Sequence, residues 1–201
     1  YTSSFPTITY IQDTLLITTR TKAYYYVINS QDWVRINNNK EKEIGTPYKA
    51  KNGNTWMILS EESGAVVSTI NRINNRSYPI KSHLNYRLAN IFEWDNELYI
   101  FDPDNQIQYR LDEDSLVDVT ANFKNVLKGS RGVKNIGDSL LIYYGTNGIS
   151  VKQKNLNWLH LLEDKNVSHI TCDKEGSIWL ATLTEGLIQI PSIESYIFNN
   201  S

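Results

Sequence analysis

The sequence predicts an all-β protein of the β-propeller class, with five four-stranded antiparallel blades that we expect to be part of a larger propeller. The first observation is an apolar run that recurs five times, at intervals of 41, 42, 42 and 38 residues. Propeller blades commonly repeat every ~40–50 residues. The runs begin at Leu15, Trp56, Leu98, Leu140 and Ile178.

The second observation is that each run has the same neighbours. A turn rich in Asn, Asp or Gly precedes it, for example Asp95-Asn96, and these residue types favour tight hairpins. One strand lies before the turn and two follow the run, and an aromatic residue or leucine opens the last of them. These opening residues are 45, 38, 42 and 38 positions apart, at Trp33, Tyr78, Leu116, Trp158 and Tyr196.

Four short strands joined by tight turns make an antiparallel meander, and meanders arranged around an axis make a propeller. The second strand of each unit is apolar on both faces, which is typical of a sheet covered on both sides. A helix of one or two turns can form at Asn122–Lys128. The sequence thus predicts one propeller segment over residues 1–201, with blades at about 7–37, 45–81, 87–120, 132–163 and 167–201.

The composition excludes some classes of partner. The chain has 201 residues and a net charge of -2, and its basic residues are scattered, so we expect no nucleic-acid partner. No apolar run approaches the ~20 residues of a spanning helix, so we expect no membrane contact in this segment. Cys172 is the only cysteine and cannot form an internal disulfide.

The fifth repeat, residues 167–190, carries a sharper motif. A turn is followed by an apolar residue and Trp, then Thr, and then Gly-Leu opens the next strand. This pattern resembles the two-component regulator propeller repeat, although Ala181 stands where that family usually has Gly. The other four repeats share mainly the period. The residues of this structural repeat motif are Asp173, Gly176, Ile178, Trp179, Thr182, Gly186 and Leu187.

The motif residues are expected to serve the fold. Gly176 and Gly186 suit turns that need a positive φ. Trp179 is expected to wedge between blades, and Thr182 to bond backbone at a hairpin end.

The resemblance implies an extracytoplasmic, periplasmic sensor region of a bacterial hybrid two-component system or sensor histidine kinase. Such a region would bind a small-molecule ligand, in particular an oligosaccharide, and relay the signal to a kinase outside this chain. The resemblance also implies a homodimer in the full-length protein. A protein–protein interaction propeller is the alternative, and a propeller glycosidase or lyase is a third.

The residues themselves predict no catalytic motif, no cofactor and no metal site. A zinc site needs several ligands placed together, whereas the three histidines lie in different repeats. Asp102–Asn105 is interpreted as a hairpin tip rather than a calcium loop. The carboxylate groups Glu61-Glu62 and Asp112-Glu113-Asp114 fall in predicted loops and are interpreted as solubilising charge. The histidines are His83, His160 and His169.

The ligand-binding residues stay unknown at this level, and aromatic side chains are the best candidates because sugars stack on them. We expect most of them to fill the space between blades. A saccharide sensor predicts a concave face with aromatics beside Asn, Asp and Arg. An interaction platform predicts an exposed apolar patch. The aromatic candidates are Tyr24, Tyr25, Tyr26, Trp33, Trp94 and Trp158.

Overall fold

The computed structural model describes residues 7–11, 14–19, 23–35, 44–61, 64–70, 76–80, 84, 88–113 and 115–191. These residues form five antiparallel sheets in which strands that follow one another in sequence also pair, so each sheet is a meander. Four sheets have four strands and the fifth has three. The predicted fourth strand of the fifth blade, Tyr196–Phe198, lies outside the described residues.

The elements follow the predicted order. Blade 1 contains β1 (Thr7–Ile11), β2 (Thr14–Thr18), β3 (Ala23–Val27) and β4 (Asp32–Arg35). Blade 2 contains β5 (Tyr48–Lys49), β6 (Thr55–Glu61), β7 (Gly64–Ile70) and β8 (Ser77–Ile80). Blade 3 contains β9 (Asn90–Trp94), β10 (Glu97–Asp102), β11 (Ile107–Asp112) and β12 (Ser115–Asp118). Helix α1 (Thr120–Leu127) precedes blade 4, which contains β13 (Ser130–Ile136), β14 (Leu140–Gly145), β15 (Gly148–Gln153) and β16 (Trp158–Leu161). Blade 5 contains β17 (Val167–Cys172), β18 (Ile178–Thr182) and β19 (Leu187–Ile190).

The hairpin between β9 and β10 shows how local sequence sets the register. Trp94 pairs with Glu97, which leaves Asp95 and Asn96 as a two-residue loop. Both loop residues have positive φ, 52° and 64°. This is the geometry of a type I′ turn, whose twist matches that of the strands, and Asn and Asp tolerate it best after Gly.

Apolar clusters join blades 2 to 5 in sequence order. Residues of β6 and β7 in blade 2 pack against β9 to β11 in blade 3. The opposite face of blade 3 packs against blade 4, with helix α1 beside both, in a cluster rich in aromatic rings. The far face of blade 4 packs against blade 5. Because neighbouring residues of a strand point to opposite faces, Ile100 and Phe101 of β10 are both fully buried, one in each interface of blade 3.

The outer face of blade 1, the face turned away from buried Leu16, is apolar and exposed. Ile8 of β1 is 62% exposed, Tyr10 is 58% exposed, and Trp33 of β4 is 60% exposed. The Trp33 ring contacts those of Tyr24 and Tyr26, with centroids 6.2 Å and 4.9 Å apart. We call this surface, made of Ile8, Tyr10, Tyr24, Tyr26 and Trp33, the outer face of blade 1.

Helix α1 extends the one or two turns expected at Asn122–Lys128 by starting two residues earlier, at Thr120. The carboxylate of Asp118 accepts the Thr120 backbone N–H at 2.9 Å at this start. The helix buries Val126 and Leu127 in the cluster between blades 3 and 4. None of the described segments contains a helix with the length and apolar character needed to cross a bilayer.

Gly148, at the first position of β15, offers a sharp stability test. Its φ is +75°, and a Cβ there would lie 2.1 Å from the carbonyl oxygen of Leu162 and 2.3 Å from that of Leu161. The change Gly148→Ala should lower the free energy of unfolding by about 3–4 kcal/mol, because left-handed strain adds to a backbone clash. Urea denaturation followed by fluorescence measures this loss.

Gly176→Ala is the matched control, since Gly176 has a φ of +86° but no heavy atom within 4 Å of the added Cβ. It should cost only the conformational strain, about 1–2 kcal/mol. Equal losses for the two variants would show that the Gly148 backbone does not make the close contact.

Candidate functional site

A cleft of about 490 Å³ opens between blades 2 and 3. It lies at the end of the blades where the β5–β6, β7–β8, β9–β10 and β11–β12 hairpins turn. Its volume falls within the ~300–1,000 Å³ typical of small-molecule sites. Its lining is mostly polar and comprises Asn52, Asn54, Trp56, Thr69, Arg76, Tyr78, Glu93, Asn96, Glu97, Leu98, Leu111, Asp112 and Glu113.

The floor of the cleft is formed by the apolar cluster between the two blades. Trp56 of β6 and Tyr78 of β8 are each only 6% exposed, and their ring centroids lie 5.9 Å apart. Leu98 and Leu111 of blade 3 pair directly across their strands and belong to the same cluster. The floor is therefore apolar and largely buried, and the polar groups stand around it.

Glu93 of β9 ties the two blades together at one side of the cleft. Its carboxylate accepts the Lys51 backbone N–H at 2.8 Å and the Tyr48 hydroxyl at 3.4 Å, both from blade 2. Its own backbone N–H donates to the Tyr48 oxygen at 3.1 Å. On its other side, the Glu93 carbonyl accepts a hydrogen bond from the Asn135 amide of blade 4. Glu93 is thus bonded to blades 2 and 4 at once.

Glu97, at the start of β10, is held within blade 3. Its carboxylate accepts the Tyr99 hydroxyl at 2.6 Å and lies 3.2 Å from a guanidinium nitrogen of Arg110. Burial and the Glu97 hydrogen bond raise the pKa of Tyr99, and burial and the nearby Glu93 charge raise the pKa of Tyr48. Both phenols therefore stay neutral donors at physiological pH.

The rim of the cleft carries polar side chains from both blades. Arg76 stands just before β8, and Asp112 and Glu113 close the β11–β12 hairpin on the opposite side. All three are exposed. Asn52 and Asn54, from the turn before β6, complete the set of donors and acceptors. Such an arrangement can hydrogen-bond a polyhydroxylated ligand that rests on the apolar floor.

A smaller cavity of about 250 Å³ lies beside helix α1 at the opposite end of blade 4. His160 of β16 lines it, and its Nδ1 lies 2.8 Å from the Ser150 hydroxyl oxygen. Glu163 and Lys128 also reach this cavity. His160 thus lies in a polar pocket, whereas His169 lies on β17 with its ring near that of Tyr144.

None of the aromatic candidates whose side chains the structure describes lines the larger cleft, and the Tyr25 side chain lies outside the described part. Trp94 and Trp158 pack against the cluster between blades 3 and 4, so they fill space between blades. Tyr24, Tyr26 and Trp33 lie on the outer face of blade 1. Sequence reasoning missed Trp56 and Tyr78 as cleft residues, although their recurrence marked them as strand residues.

The acidic candidates lie at different places in the structure. Asp112 and Glu113 are exposed and lie on the rim of the cleft. Asp102 ends β10, and its carboxylate accepts the Asp104 N–H at 3.0 Å and the Asn105 side-chain amide at 2.8 Å, as a hairpin tip requires. His83, Glu62 and Asp114 lie outside the described residues, as does the Glu61 side chain. No group of three or more potential metal ligands is found among the residues described.

The repeat motif of blade 5 forms two bonded turns. Asp173 accepts backbone N–H groups of Glu175 at 3.1 Å and Ser177 at 2.8 Å, and the Trp179 indole N–H at 2.7 Å. The Thr182 hydroxyl donates to the Gly186 carbonyl at 3.0 Å and accepts the Glu185 N–H at 2.9 Å. Gly176 and Gly186 have φ values of 86° and 78°.

The motif residues on the strands differ in burial. Ile178 is buried in the interface between blades 4 and 5. Trp179 is partly exposed, on the face of β18 turned away from that interface, and Leu187 is exposed at the start of β19. The repeat motif therefore corresponds to a turn that is closed by the hydrogen bond from the Trp179 indole to Asp173.

Asp173 predicts a pH dependence of stability. The Trp179 indole N–H is the main cause that lowers the pKa of Asp173 below its usual 3.8, and backbone N–H groups add to it. Because the pKa is lower in the folded state, the stabilisation is present above the unfolded pKa and is lost as pH falls through the folded pKa. Asp173→Asn should lower Tm at neutral pH, and the difference from wild type should shrink below about pH 4.

Thermal unfolding by circular dichroism across this pH range checks the Asp173 prediction. Glu175→Gln is the matched control, because it removes an exposed charge from the same turn while its backbone N–H can still bond Asp173. A Tm difference that is equal at neutral and acidic pH would contradict the assigned role of the Asp173 carboxylate.

No protein-family model matches the chain, and no curated protein matches it either. Solved structures resemble it closely in fold. Virginiamycin B lyase from Staphylococcus aureus is 14% identical, with a TM-score of 0.65, over 95% of this chain and 71% of the lyase chain.

Two further similar structures come from other functional classes. The extracellular domain of a protein described as a hybrid two-component system of B. thetaiotaomicron is 14% identical, with a TM-score of 0.59, over 90% of this chain and 26% of that chain. YCF48 bound to D1 peptide is 11% identical, with a TM-score of 0.59, over 92% of this chain and 63% of that chain. At these identities the likeness shows the fold alone, and the chain is an all-β propeller built of antiparallel blades.

Proposed function

We propose that this chain is the ligand-sensing propeller segment of an extracytoplasmic, periplasmic signalling protein in bacteria. Its ligand is a saccharide held in the cleft between blades 2 and 3, and the kinase that receives the signal lies outside the chain. The observation that carries the proposal is the composition of the cleft, where an apolar floor with Trp56 and Tyr78 is surrounded by amides, carboxylates and Arg76.

The position of the cleft also supports a sensing role. A ligand between two blades contacts both, so it can favour one relative placement of the blades over another. The resemblance of the fifth repeat to the two-component regulator propeller supports this role, as does the extracellular domain of a two-component protein among the similar structures. The part of the B. thetaiotaomicron chain that matches this segment is about a quarter of that chain.

We further propose that the chain is not itself an enzyme. Two of the four carboxylates that line the cleft are committed to structural bonds, Glu93 to Tyr48 and Lys51, and Glu97 to Tyr99 and Arg110. The other two, Asp112 and Glu113, are adjacent exposed residues of one hairpin and do not face each other across the cleft as an acid and a nucleophile would. Catalysis of glycoside hydrolysis would need two carboxylates free to exchange protons or attack the sugar.

Calorimetry against oligosaccharides of defined linkage tests the proposed function. We expect saturable binding by one class of glycan, and we expect Asn54→Trp to weaken it at least ten-fold, because an indole at that partly exposed position would fill the cleft. Lys174→Trp, at an exposed position in the Asp173 turn of blade 5, is the control and should bind like wild type. Absence of binding to every glycan by the folded protein, or equal binding by both tryptophan variants, would refute the proposal.

A protein-interaction role is the second candidate, and the outer face of blade 1 favours it. Ile8, Tyr10 and Trp33 expose apolar surface on one side of a single sheet, and exposed apolar patches mark interaction sites. The partner we propose is a second copy of this chain, packed face to face. A two-fold pairing would bury the same apolar residues on both copies. Apolar side chains are buried in a similar way between neighbouring blades within one copy.

A further inference from the structure

We propose that the cleft between blades 2 and 3 selects a positively charged saccharide, a glycan with free amino groups such as a glucosamine oligomer. This inference rests on the proposed function, because it concerns which ligand the same cleft takes. It starts from the charges that face the cleft.

Among the residues that the structure describes, four carboxylates and one guanidinium line the cleft. The carboxylates come from both ends of the β9–β10 hairpin and from the β11–β12 hairpin, and the guanidinium is that of Arg76. Their formal charges at neutral pH sum to -3, which exceeds the -2 of the whole chain. The carboxylates belong to Glu93, Glu97, Asp112 and Glu113.

The described basic groups near these carboxylates offset their charge only in part. The Arg110 guanidinium offsets the charge of Glu97, but the Lys51 ammonium pairs with Asp138, at the β13–β14 hairpin of blade 4. Within the described part of blade 2, the donors to the Glu93 carboxylate are neutral, the Lys51 N–H and the Tyr48 hydroxyl. The raised pKa of Tyr48 means that this phenol stays protonated.

Asp112 and Glu113 are the carboxylates best placed to meet a ligand. Both are exposed on the rim, and the one hydrogen bond that the structure describes for Asp112 is from the adjacent Glu113 N–H at 2.9 Å. An ammonium group that hydrogen-bonds to a carboxylate forms a stronger contact than a neutral hydroxyl does. A uronic acid at the same place would bring like charges together, which costs affinity.

The cleft is also lined for a sugar rather than for a simple cation. Trp56, Tyr78, Leu98 and Leu111 give it an apolar floor, and Asn52 and Asn54 add amide donors and acceptors. A glycan with amino groups can use all three features, since its ring faces are apolar, its hydroxyls bond amides and its ammonium groups pair with carboxylates.

Calorimetry with three trisaccharides tests the inference: the glucosamine trimer, its fully N-acetylated form and trigalacturonate. In mildly acidic buffer of low ionic strength, where the amines are protonated, the glucosamine trimer should bind at least ten-fold more tightly than the acetylated trimer. Trigalacturonate should bind least. The preference should narrow as salt is added, because exposed charges are screened over about 8 Å at physiological ionic strength.

The double variant Asp112→Asn/Glu113→Gln should reduce the preference for the glucosamine trimer to less than about three-fold. Glu175→Gln, which removes an exposed carboxylate from blade 5, is the control and should keep the preference. Equal affinity for the three trimers, tighter binding of trigalacturonate, or a preference unchanged in the double variant would overturn the inference.

These outcomes separate the inference from the proposed function. If the trimers bind equally and Asn54→Trp blocks them all, the cleft is a saccharide site and only its charge selectivity is refuted. If no glycan of any charge binds the folded protein, both the proposed function and the inference fail.

Discussion

Replacing Tyr143 by alanine is expected to lower the free energy of unfolding by about 3–5 kcal/mol, the usual cost of deleting a large buried aromatic side chain. Tyr143 of β14 is fully buried. Its ring lies 5.4 Å from that of Phe101, 5.7 Å from Trp158 and 6.2 Å from Phe92, measured between centroids. The side chain thus occupies the centre of the interface between blades 3 and 4, and its removal would leave a cavity there.

The Tyr143 hydroxyl adds a second contribution. It donates a hydrogen bond to the Gln108 amide oxygen of blade 3, and Gln108 is fully buried. Burial raises the pKa of Tyr143 well above its usual value, so the hydroxyl keeps the proton that it donates. In Tyr143→Phe the ring remains but the Gln108 oxygen loses this donor, which should cost about 1–3 kcal/mol.

Urea denaturation of the two Tyr143 variants measures both contributions. The phenylalanine variant should fall between wild type and the alanine variant. If alanine cost less than about 1 kcal/mol, the aromatic interface between blades 3 and 4 would not be closely packed. If phenylalanine cost as much as alanine, the hydrogen bond would dominate over ring packing.

The second large effect concerns self-association. We expect the isolated chain to form dimers as its concentration rises, because the outer face of blade 1 exposes Ile8, Tyr10 and Trp33 together. The double variant Ile8→Lys/Trp33→Lys should be monomeric at concentrations where wild type is dimeric, since pairing would bury lysine charges against each other. Light scattering coupled to size-exclusion chromatography gives the mass directly.

Leu156→Lys is the control for this prediction. Leu156 is an exposed apolar residue in the β15–β16 hairpin of blade 4, so it does not belong to the outer face of blade 1. Its change should leave the dimer intact. A wild-type chain that stays monomeric at all concentrations would contradict the assignment of the outer face of blade 1 to a second copy.

The strand order of the fold could be predicted from sequence because the residues that define each blade lie close together in the chain. A turn such as Asp95-Asn96 and an apolar run such as Leu98–Phe101 lie within a few residues of each other, so their pattern is visible locally and repeats. The apolar runs predicted to begin at Leu140 and Ile178 coincide with the first residues of β14 and β18 in the structure. Sheet pairing then follows from short connections.

The cleft could not be predicted in the same way, because its lining is gathered from residues 52 to 113 across two blades. Glu93 lies on a strand between apolar residues, and nothing in the neighbouring sequence indicates that it bonds to Tyr48 and Lys51. The aromatic signal was also ambiguous. Trp33 and Trp158 look alike in sequence, but one is exposed on blade 1 and the other packs into the core between blades 3 and 4.

The bonding of Glu93 has a consequence for how a signal could travel. Its side chain meets blade 2 through Tyr48, while its backbone carbonyl meets blade 4 through Asn135, so β9 is anchored on both sides by one residue. Loss of the contact between the Glu93 carboxylate and Tyr48 would loosen the same strand that accepts the Asn135 hydrogen bond. Displacement of Glu93 would therefore alter the contacts of blade 3 with both of its neighbours.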